Sequence, residues 1–544
     1  MKNISTVIIL SVLAFSVSAQ KVITTINTGN RVEGYNFKYD NKSGSFVYND
    51  YDTTAKKNVI ITQKGKSRQY DYSVQYSALF DADGNVYNYA YNLVTDTVYK
   101  YFLLKNGDEI DSYDYIGEGW DINNNVIYFL AKEGGKAYIA SYNTKTGEVN
   151  GGKKYDDIYL VNFPDQYYDE EPVGNIGFTK DGKPFYLAVE GDNKFLVIGD
   201  TEQKHYSDID WYMTKTDLNG ELTYVAKSKG NFYTENGNTF LVQGSKEYKS
   251  FDYIFGPVLF DKNNNPVYVS SDSIGDYKYR SRMMLGSKES KSYNGNIYEY
   301  KFTPSGKLAY VLTRDKKING GDSYENILVI DGEEGKPYQS ISNLTFTYGD
   351  VPVFTASNKN NKYFVVKDDK VISEKYDNIY DYRFFKDGSL SYIGNNFGDY
   401  EKQVPDKNYI YILGKKFGPY EFISMADYTA GKYILTDEND NYVFVSGKLI
   451  DRTNYYYKYK VTTNKWESPE YDFIDMVKMS NGKVIYVSGN YTDRTNYIYK
   501  YSLCINNMPV AEDYESISEL IIDKNSGMIS CIGCKNNSFY LLEF

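Results

Sequence analysis

Phe80-Asp81-Ala82-Asp83-Gly84-Asn85-Val86-Tyr87-Asn88-Tyr89 sets a polar turn between two apolar, aromatic runs. The same design returns as FTKDGKPFYL from Phe178, FKDGSLSYI from Phe385 and MSNGKVIYV from Met479. A hairpin connection of two or three residues needs positive φ, which Gly and Asn adopt at least cost. On that criterion the turn residues are Gly44, Gly84, Asn124, Gly182, Gly220, Asn264, Gly306, Gly349, Gly388, Gly431, Gly482 and Gly527, which average about 44 residues apart.

A second signature alternates with the first. It is an aromatic-x-x-Ile box: YDYI from Tyr113, YDDI from Tyr155, YSDI from Tyr206, FDYI from Phe251, YQSI from Tyr338, YDNI from Tyr376, YEFI from Tyr420, YDFI from Tyr471 and YESI from Tyr514. YDYS at Tyr70 is a degenerate copy, and the copy at Tyr293 carries one extra residue before Ile297. Its period is also about 44 residues. Inside many units a further apolar run ends in Gly or Asp-Gly, as in FLVIGD from Phe195, FLVQGSK from Phe240, ILVIDGE from Ile327, YILGKK from Tyr411 and YVFVSGK from Tyr442. Two hairpins per unit predict four short antiparallel strands, the content of one propeller blade.

Composition agrees with this reading. Among 544 residues there are 62 Tyr and 28 Phe against 12 Pro, a mixture suited to pleated, half-buried strands. The chain is too long for one ordinary core. An all-β fold of tandem β-propellers, about twelve four-stranded blades, is therefore expected, because a single ring usually closes with four to eight blades. Six plus six puts the boundary between 20–290 and 291–544, seven plus five is the competing division, and an open β-solenoid is the competing architecture. The blade hairpins resemble those of WD-repeat-like and TolB-like propellers, which carry an aromatic-x-x-Asp-Gly-x-x-x-Tyr pattern. That resemblance spans 21–544 and implies fold alone, since Trp120-Asp121 is the sole Trp-Asp pair and His205 the sole histidine.

The first nineteen residues have the layout of a cleavable signal peptide: Lys2, an apolar run from Val7 to Val17, then Val17-Ser18-Ala19 before Gln20. An extracytoplasmic protein, periplasmic or secreted, with no stable membrane insertion after cleavage is expected. With 61 basic and 72 acidic side chains, the formal net charge of −11 disfavours nucleic acid.

Tests for chemistry return no catalytic residue, no metal site and no cofactor. His205, in KHYSDI, stands immediately before a box and reads as a strand-flanking surface residue. Cys504, Cys531 and Cys534 lack the second ligand pair that zinc needs, and read either as a disulfide joining Cys504 to Cys531 or Cys534 or as three buried thiols. Asp81-Ala82-Asp83-Gly84 opens like a calcium loop, yet Asn92 stands where the bidentate Glu belongs. Asp there forms the turn by bonding its own backbone.

Two units are stretched, to 58 residues between Asn124 and Gly182 and to 51 between Gly431 and Gly482. Long loops on a rigid scaffold commonly carry function, which nominates Phe163, Tyr167, Tyr168, Asp169, Glu170 and Glu171 in the first, and Tyr455, Tyr456 and Tyr457 in the second. Tyrosines at fixed repeat positions (Tyr87, Tyr128, Tyr186, Tyr224, Tyr268, Tyr310, Tyr392, Tyr486) read instead as blade packing. The expected function is a non-catalytic exported scaffold that binds a protein or a glycan of the cell envelope. The alternative is an extracytoplasmic propeller enzyme acting on polysaccharide or peptide through carboxylate and tyrosine side chains.

Overall fold

The structure, a computed structural model, describes residues 21–544 except 26–36, 41, 53, 118, 161–175, 233–236, 276–277, 319–320, 348, 386–388, 400, 403, 428–430, 452, 454–455, 496–497, 524–525 and 537. The expected signal peptide, 1–19, lies outside the described residues. Among the described residues there is no helix, and antiparallel strands succeed one another in twelve blades. Blade 1 lies around 45–70, and blades 2 to 12 follow at 72–113, 115–151, 157–202, 208–247, 253–289, 293–338, 340–371, 378–420, 422–467, 473–514 and 516–543. The typical blade is a four-strand meander, as in Tyr72–Phe80, Val86–Thr95, Val98–Lys105 and Asp108–Tyr113. Blade 10 has only isolated bridges at its fourth position. Blade 12 takes its fourth strand from the other end of the described chain, where Lys21–Thr25 pairs with Ser538–Glu543.

The two sequence signatures have distinct structural jobs. The box joins blades: its aromatic ends the fourth strand of one blade and its Ile lies in the first strand of the next, both buried at Tyr113 and Ile116 and again at Tyr514 and Ile517. Fully burying such an Ile contributes roughly 1.5–3 kcal/mol. The acid between them works as a clasp. Asp71, Asp114, Asp156, Asp252, Asp377 and Asp472, with Glu421, each accept a hydrogen bond from a backbone N–H at the far end of the second strand of the blade they open: Leu93, Gly134, Gly191, Ser273, Phe397, Tyr491 and Leu449. Many of these acids also pair with a Lys, as Asp156 does with Lys136 at 2.6 Å and Asp377 with Lys362 at 2.5 Å. A basic residue two positions before the box reaches the next blade: Lys204, above the Tyr206 ring, pairs with Glu247 at 2.5 Å, and Lys249, above Phe251, with Glu289 at 2.6 Å.

The turns largely follow the sequence expectation, with positive φ at Gly84, Asn124, Gly182, Gly220, Asn264, Gly306, Gly482 and Gly527. At Gly349 the positive φ has moved to Asp350, and Gly388 lies outside the described residues. In blade 10 the repeat turn is at Asp440 (φ 59°), closed by Asp437, whereas Gly431 sits in an extra bridge between Asp427 and Lys432. The extra residues thus interrupt the first strand of blade 10, between Phe422–Ser424 and Ile434–Thr436, rather than lengthening the tyrosine hairpin. YVFVSGK is not a turn either: Tyr442–Asp451 runs straight through Gly447.

Contact density divides the chain into two compact units, 40–419 and 420–544 together with the stretch before Asp40. Residue 290 lies inside one sheet, because Arg280 and Ser281 pair with Gly295 and Tyr293 across the junction of blades 6 and 7. The extra residue of the Tyr293 box explains the close approach: a Cβ on Gly295 (φ 141°) would stand 2.0 Å from the Thr313 carbonyl oxygen.

Within each unit the core sits between successive blades. Tyr87, Tyr186, Tyr224, Tyr268, Tyr310, Tyr392 and Tyr486 are buried there, and Tyr128 is partly buried.

Candidate functional site

Phe163, Tyr167, Tyr168, Asp169, Glu170, Glu171 and Tyr455 lie outside the described residues. Tyr456 and Tyr457 lie on the third strand of blade 10, Tyr456–Thr463, and line a groove of about 550 Å³. Its other walls are Asp451 and Tyr459 from the same hairpin, Asp472 and Phe473 from the next box, and Tyr491, Arg494, Thr495 and Tyr499 from the blade 11 hairpin. All belong to the unit containing 420–544. Grooves of about 770 Å³ between blades 3 and 4 and about 430 Å³ between blades 7 and 8 are lined chiefly by strand edges and turns, with two tyrosines in the first and one in the second.

Long hairpins build the groove. The second and third strands of blade 10 (Tyr442–Asp451, Tyr456–Thr463) and of blade 11 (Lys483–Asp493, Ile498–Ile505) are buried at their inner ends and half-exposed towards their tips. The half-exposed ends carry the rings. Tyr491 and Tyr499 face each other with centroids 4.1 Å apart and hydroxyls 2.5 Å apart. The Arg494 guanidinium covers the Tyr456 ring at 3.8 Å, and Tyr456 lies 6.3 Å from Tyr491, so the two hairpins meet through aromatic and cation–π contacts.

At the groove floor, buried Asp472 accepts from the Tyr456 hydroxyl and from Tyr491 N–H, and pairs with Lys458 at 2.5 Å. Burial, then the hydrogen bond to Tyr491, pushes the Tyr499 phenol above its ordinary range. Burial and the neighbouring Arg494 draw the Lys458 ammonium down. The groove therefore offers ring faces, hydroxyls and an exposed guanidinium above charges already matched to one another. Such a set can hold a ligand by stacking and hydrogen bonds.

The remaining candidates fall outside this site. His205 stacks on Phe195 at 3.9 Å and 6° and approaches Glu202 at 3.6 Å, a packing position beside a strand. Cys504, Cys531 and Cys534 are free and buried, the second of the two readings the sequence leaves open. Cys504 packs into the core between blades 10 and 11, and Cys531 into the core between blades 11 and 12, so the blade 11 sheet separates them. Cys534, three residues along the same strand, points to the opposite face from Cys531. Burial raises all three thiols, Cys531 to about 12 and Cys534 to about 11. The calcium-like turn at Asp81 spends its carboxylate on its own loop, accepting from Asp83 N–H and Asn85 N–H at 3.0 and 2.8 Å. Among the described residues no three His, Cys, Asp or Glu side chains converge as a metal site.

Sequence reading reached Tyr456 and Tyr457 through a mistaken insertion and missed Tyr491, Arg494 and Tyr499. A detectable signal existed: Asp451-Arg452-Thr453-Asn454-Tyr455-Tyr456-Tyr457-Lys458-Tyr459 returns as Asp493-Arg494-Thr495-Asn496-Tyr497-Ile498-Tyr499-Lys500-Tyr501.

No protein-family model matches the chain, and no curated protein matches it. Solved structures similar to it include the β-propeller domain of the Trilobed protease from Pyrococcus furiosus, at 9% identity and TM-score 0.24 over 65% of this chain and 97% of that one. The Dos1 propeller matches at 12% identity and TM-score 0.21, covering 70% and 92%. Pyrococcus horikoshii acylaminoacyl peptidase matches at 11% identity and TM-score 0.24, covering 62% and 58%. The fold rests on the sheets themselves: this is an all-β chain of β-propeller blades.

Proposed function

We propose that the chain is an exported, non-catalytic β-propeller scaffold that binds a protein or glycan of the cell envelope through the aromatic groove of blades 10 and 11. The observation that carries this reading is the groove itself, where Tyr456, Tyr457, Tyr459, Tyr491, Tyr499 and Phe473 present rings to one cavity beside Arg494. Tyrosine offers large, stiff contact area and a hydroxyl at low entropic cost, which suits recognition. Lys2, the Val7–Val17 run and Ser18-Ala19 support export.

The test immobilises the full chain and a Tyr457→Ala/Tyr499→Ala variant and passes envelope polysaccharide and envelope protein fractions over both. Retention by the wild type, lost in the variant, with the bound polymer recovered at unchanged length, is the expected result. Retention indifferent to the variant removes the groove from the reading, and progressive shortening of the polymer replaces the scaffold with an enzyme. Deleting 163–172 in parallel tells whether that insertion shares in binding.

A further inference from the structure

Blades 10 and 11 carry the same aromatic platform twice. In blade 10, Phe422 stands 5.6 Å from Tyr457 at 47° and 6.3 Å from Tyr459 at 79°, and the two tyrosines are 6.2 Å apart at 36°. In blade 11, Phe473 stands 6.0 Å from Tyr499 at 56° and 5.9 Å from Tyr501 at 90°, with the tyrosines 5.7 Å apart at 35°.

The supporting geometry is duplicated as well. Each triad closes over a glycine in the second strand, where a Cβ would come to 3.3 Å from a ring: Phe422 at Gly447, Tyr501 at Gly489. Each hairpin has a bulge at the same point, between Leu449 and Asp451 and between Tyr491 and Asp493. Each tip is closed by its aspartate, Asp451 accepting from Thr453 N–H at 2.9 Å and Asp493 from Thr495 N–H at 3.0 Å. Blade 2 shows what a self-filled platform looks like: Tyr91 occupies the glycine position and stacks on Tyr72 at 4.9 Å and Tyr101 at 4.7 Å.

The inter-blade cores also repeat a tyrosine from Tyr87 to Tyr486, but those rings are buried, whereas Tyr457, Tyr459, Tyr499 and Tyr501 are half-exposed and so are not repeated for burial. Two similar half-exposed platforms on consecutive blades, the one in blade 11 extended by Tyr491 where blade 10 has Leu449, match a ligand whose chemistry repeats along its length. The geometry points to tandem subsites for consecutive units of a linear, neutral polysaccharide, one sugar ring stacked on each triad. Half-exposed rings suit the C–H side of a pyranose, and partners for its hydroxyls line the same groove in Thr495 and Arg494. Lys458 is paired with Asp472 at 2.5 Å and Lys500 with Glu515 at 3.9 Å, and the Arg494 guanidinium lies over the Tyr456 ring at 3.8 Å, which favours an uncharged chain over a uronate or phosphate polymer. The inference rests on the binding reading above and deepens it.

The test is calorimetric titration of the full chain with linear gluco- and manno-oligosaccharides of one to about six units, with a proline-rich peptide as the alternative probe. Linking two subsites raises affinity without new contacts. The expected result is an affinity at least about tenfold higher for the longer chains than for one or two units. Tyr457→Ala and Tyr499→Ala should each bring the long chain back to the short-chain value. Tyr457→Leu and Tyr499→Leu, which keep apolar bulk, and unfolding midpoints of all variants separate lost stacking from lost folding. Binding independent of length overturns the tandem subsites while leaving the groove as a binding site. Binding of the peptide and of no oligosaccharide overturns the polysaccharide. Failure of every probe, with the groove variant also silent towards envelope fractions, overturns both readings.

Discussion

Replacing Asp81 by Ala removes one acceptor from four donors at once. Its Oδ1 accepts from the amides of Asp83 and Asn85, and its Oδ2 accepts from Asn85 Nδ2 at 2.8 Å and from the Tyr87 hydroxyl at 2.9 Å. Asp83 is exposed and Asn85 half-buried, so water replaces their lost bonds at about 0.5 kcal/mol each. Tyr87 is wholly buried, and its orphaned hydroxyl costs about 1–3 kcal/mol. Asp81→Ala should therefore destabilise by about 2.5–4.5 kcal/mol. Asp81→Asn keeps an acceptor for the turn amides but not for Tyr87, and should cost about 1 kcal/mol less. Burial, the largest influence on this carboxyl, raises its pKa, yet the four hydrogen bonds together outweigh it and hold the group below the ordinary carboxylate range. A folded pKa below the unfolded one gives a contribution that is complete above pH ~4 and is lost as pH falls through the folded value. The assay is urea unfolding of the wild type and both variants at about pH 7 and pH 3, read by near-ultraviolet circular dichroism. The gap between wild type and variants should be full at the higher pH and should narrow at the lower. Equal costs for Ala and Asn, or a gap unchanged between the two pH values, would refute the turn as the carboxylate's role.

Three further outcomes follow from the same geometry. Thiol reagents at pH ~8 should leave Cys504, Cys531 and Cys534 unmodified in the native protein and label all three after unfolding, because burial keeps the thiols protonated and shielded; an intact mass two daltons low, or labelling of the native protein, contradicts this. Gly533→Ala places a Cβ 2.6 Å from the buried Tyr514 ring and should cost about 1–3 kcal/mol, whereas Gly349→Ala, with open space around it, should be near neutral; paired denaturant melts decide. Removing Lys21–Thr25 strips the outer strand from Ser538–Glu543 and should lower the unfolding midpoint and promote self-association, seen by light scattering, since it bares a sheet edge.

The fold was legible because the two signatures are local. A positive-φ turn and a buried aromatic-x-x-Ile junction each need only a few adjacent residues, so Gly84, Gly220, Tyr155 and Ile158 behave as their types suggest. Legibility failed where an interaction spans blades. The clasp of Asp156 on Gly191 N–H and the pairing of Lys204 with Glu247 join residues 35 and 43 positions apart, and the box acid looks like ordinary turn polarity until the hairpin end is brought to it. Blade 10 misled for a related reason: Gly431 is a plausible turn residue by type, but Asp437 has the side chain that closes a turn, and it placed the repeat turn at Asp440.

The site was harder still, because the same residue type serves core and surface and strand alternation does not separate them. In blade 11, Tyr486 is fully buried while Tyr491 and Tyr499 stand half-exposed in the groove. Along Ile498–Ile505 the burial pattern is not alternating: five half-buried residues precede three buried ones. What decides a tyrosine's fate is its distance along the hairpin from the inter-blade core, a quantity set by where the pairing begins. Tyr486 pairs with Cys504 near the base, whereas Tyr491 pairs with Tyr499 beside the bulge. Composition cannot supply that distance, but duplication can stand in for it. The Tyr-Lys-Tyr core of the strand also stands in blade 2 at Tyr99-Lys100-Tyr101, but the longer match of 451–459 with 493–501, which takes in the Asp-Arg-Thr-Asn-Tyr tip, is confined to blades 10 and 11. In a repeat protein whose copies diverge freely, the stretch that has not diverged is the better guide to function than the stretch that is longer.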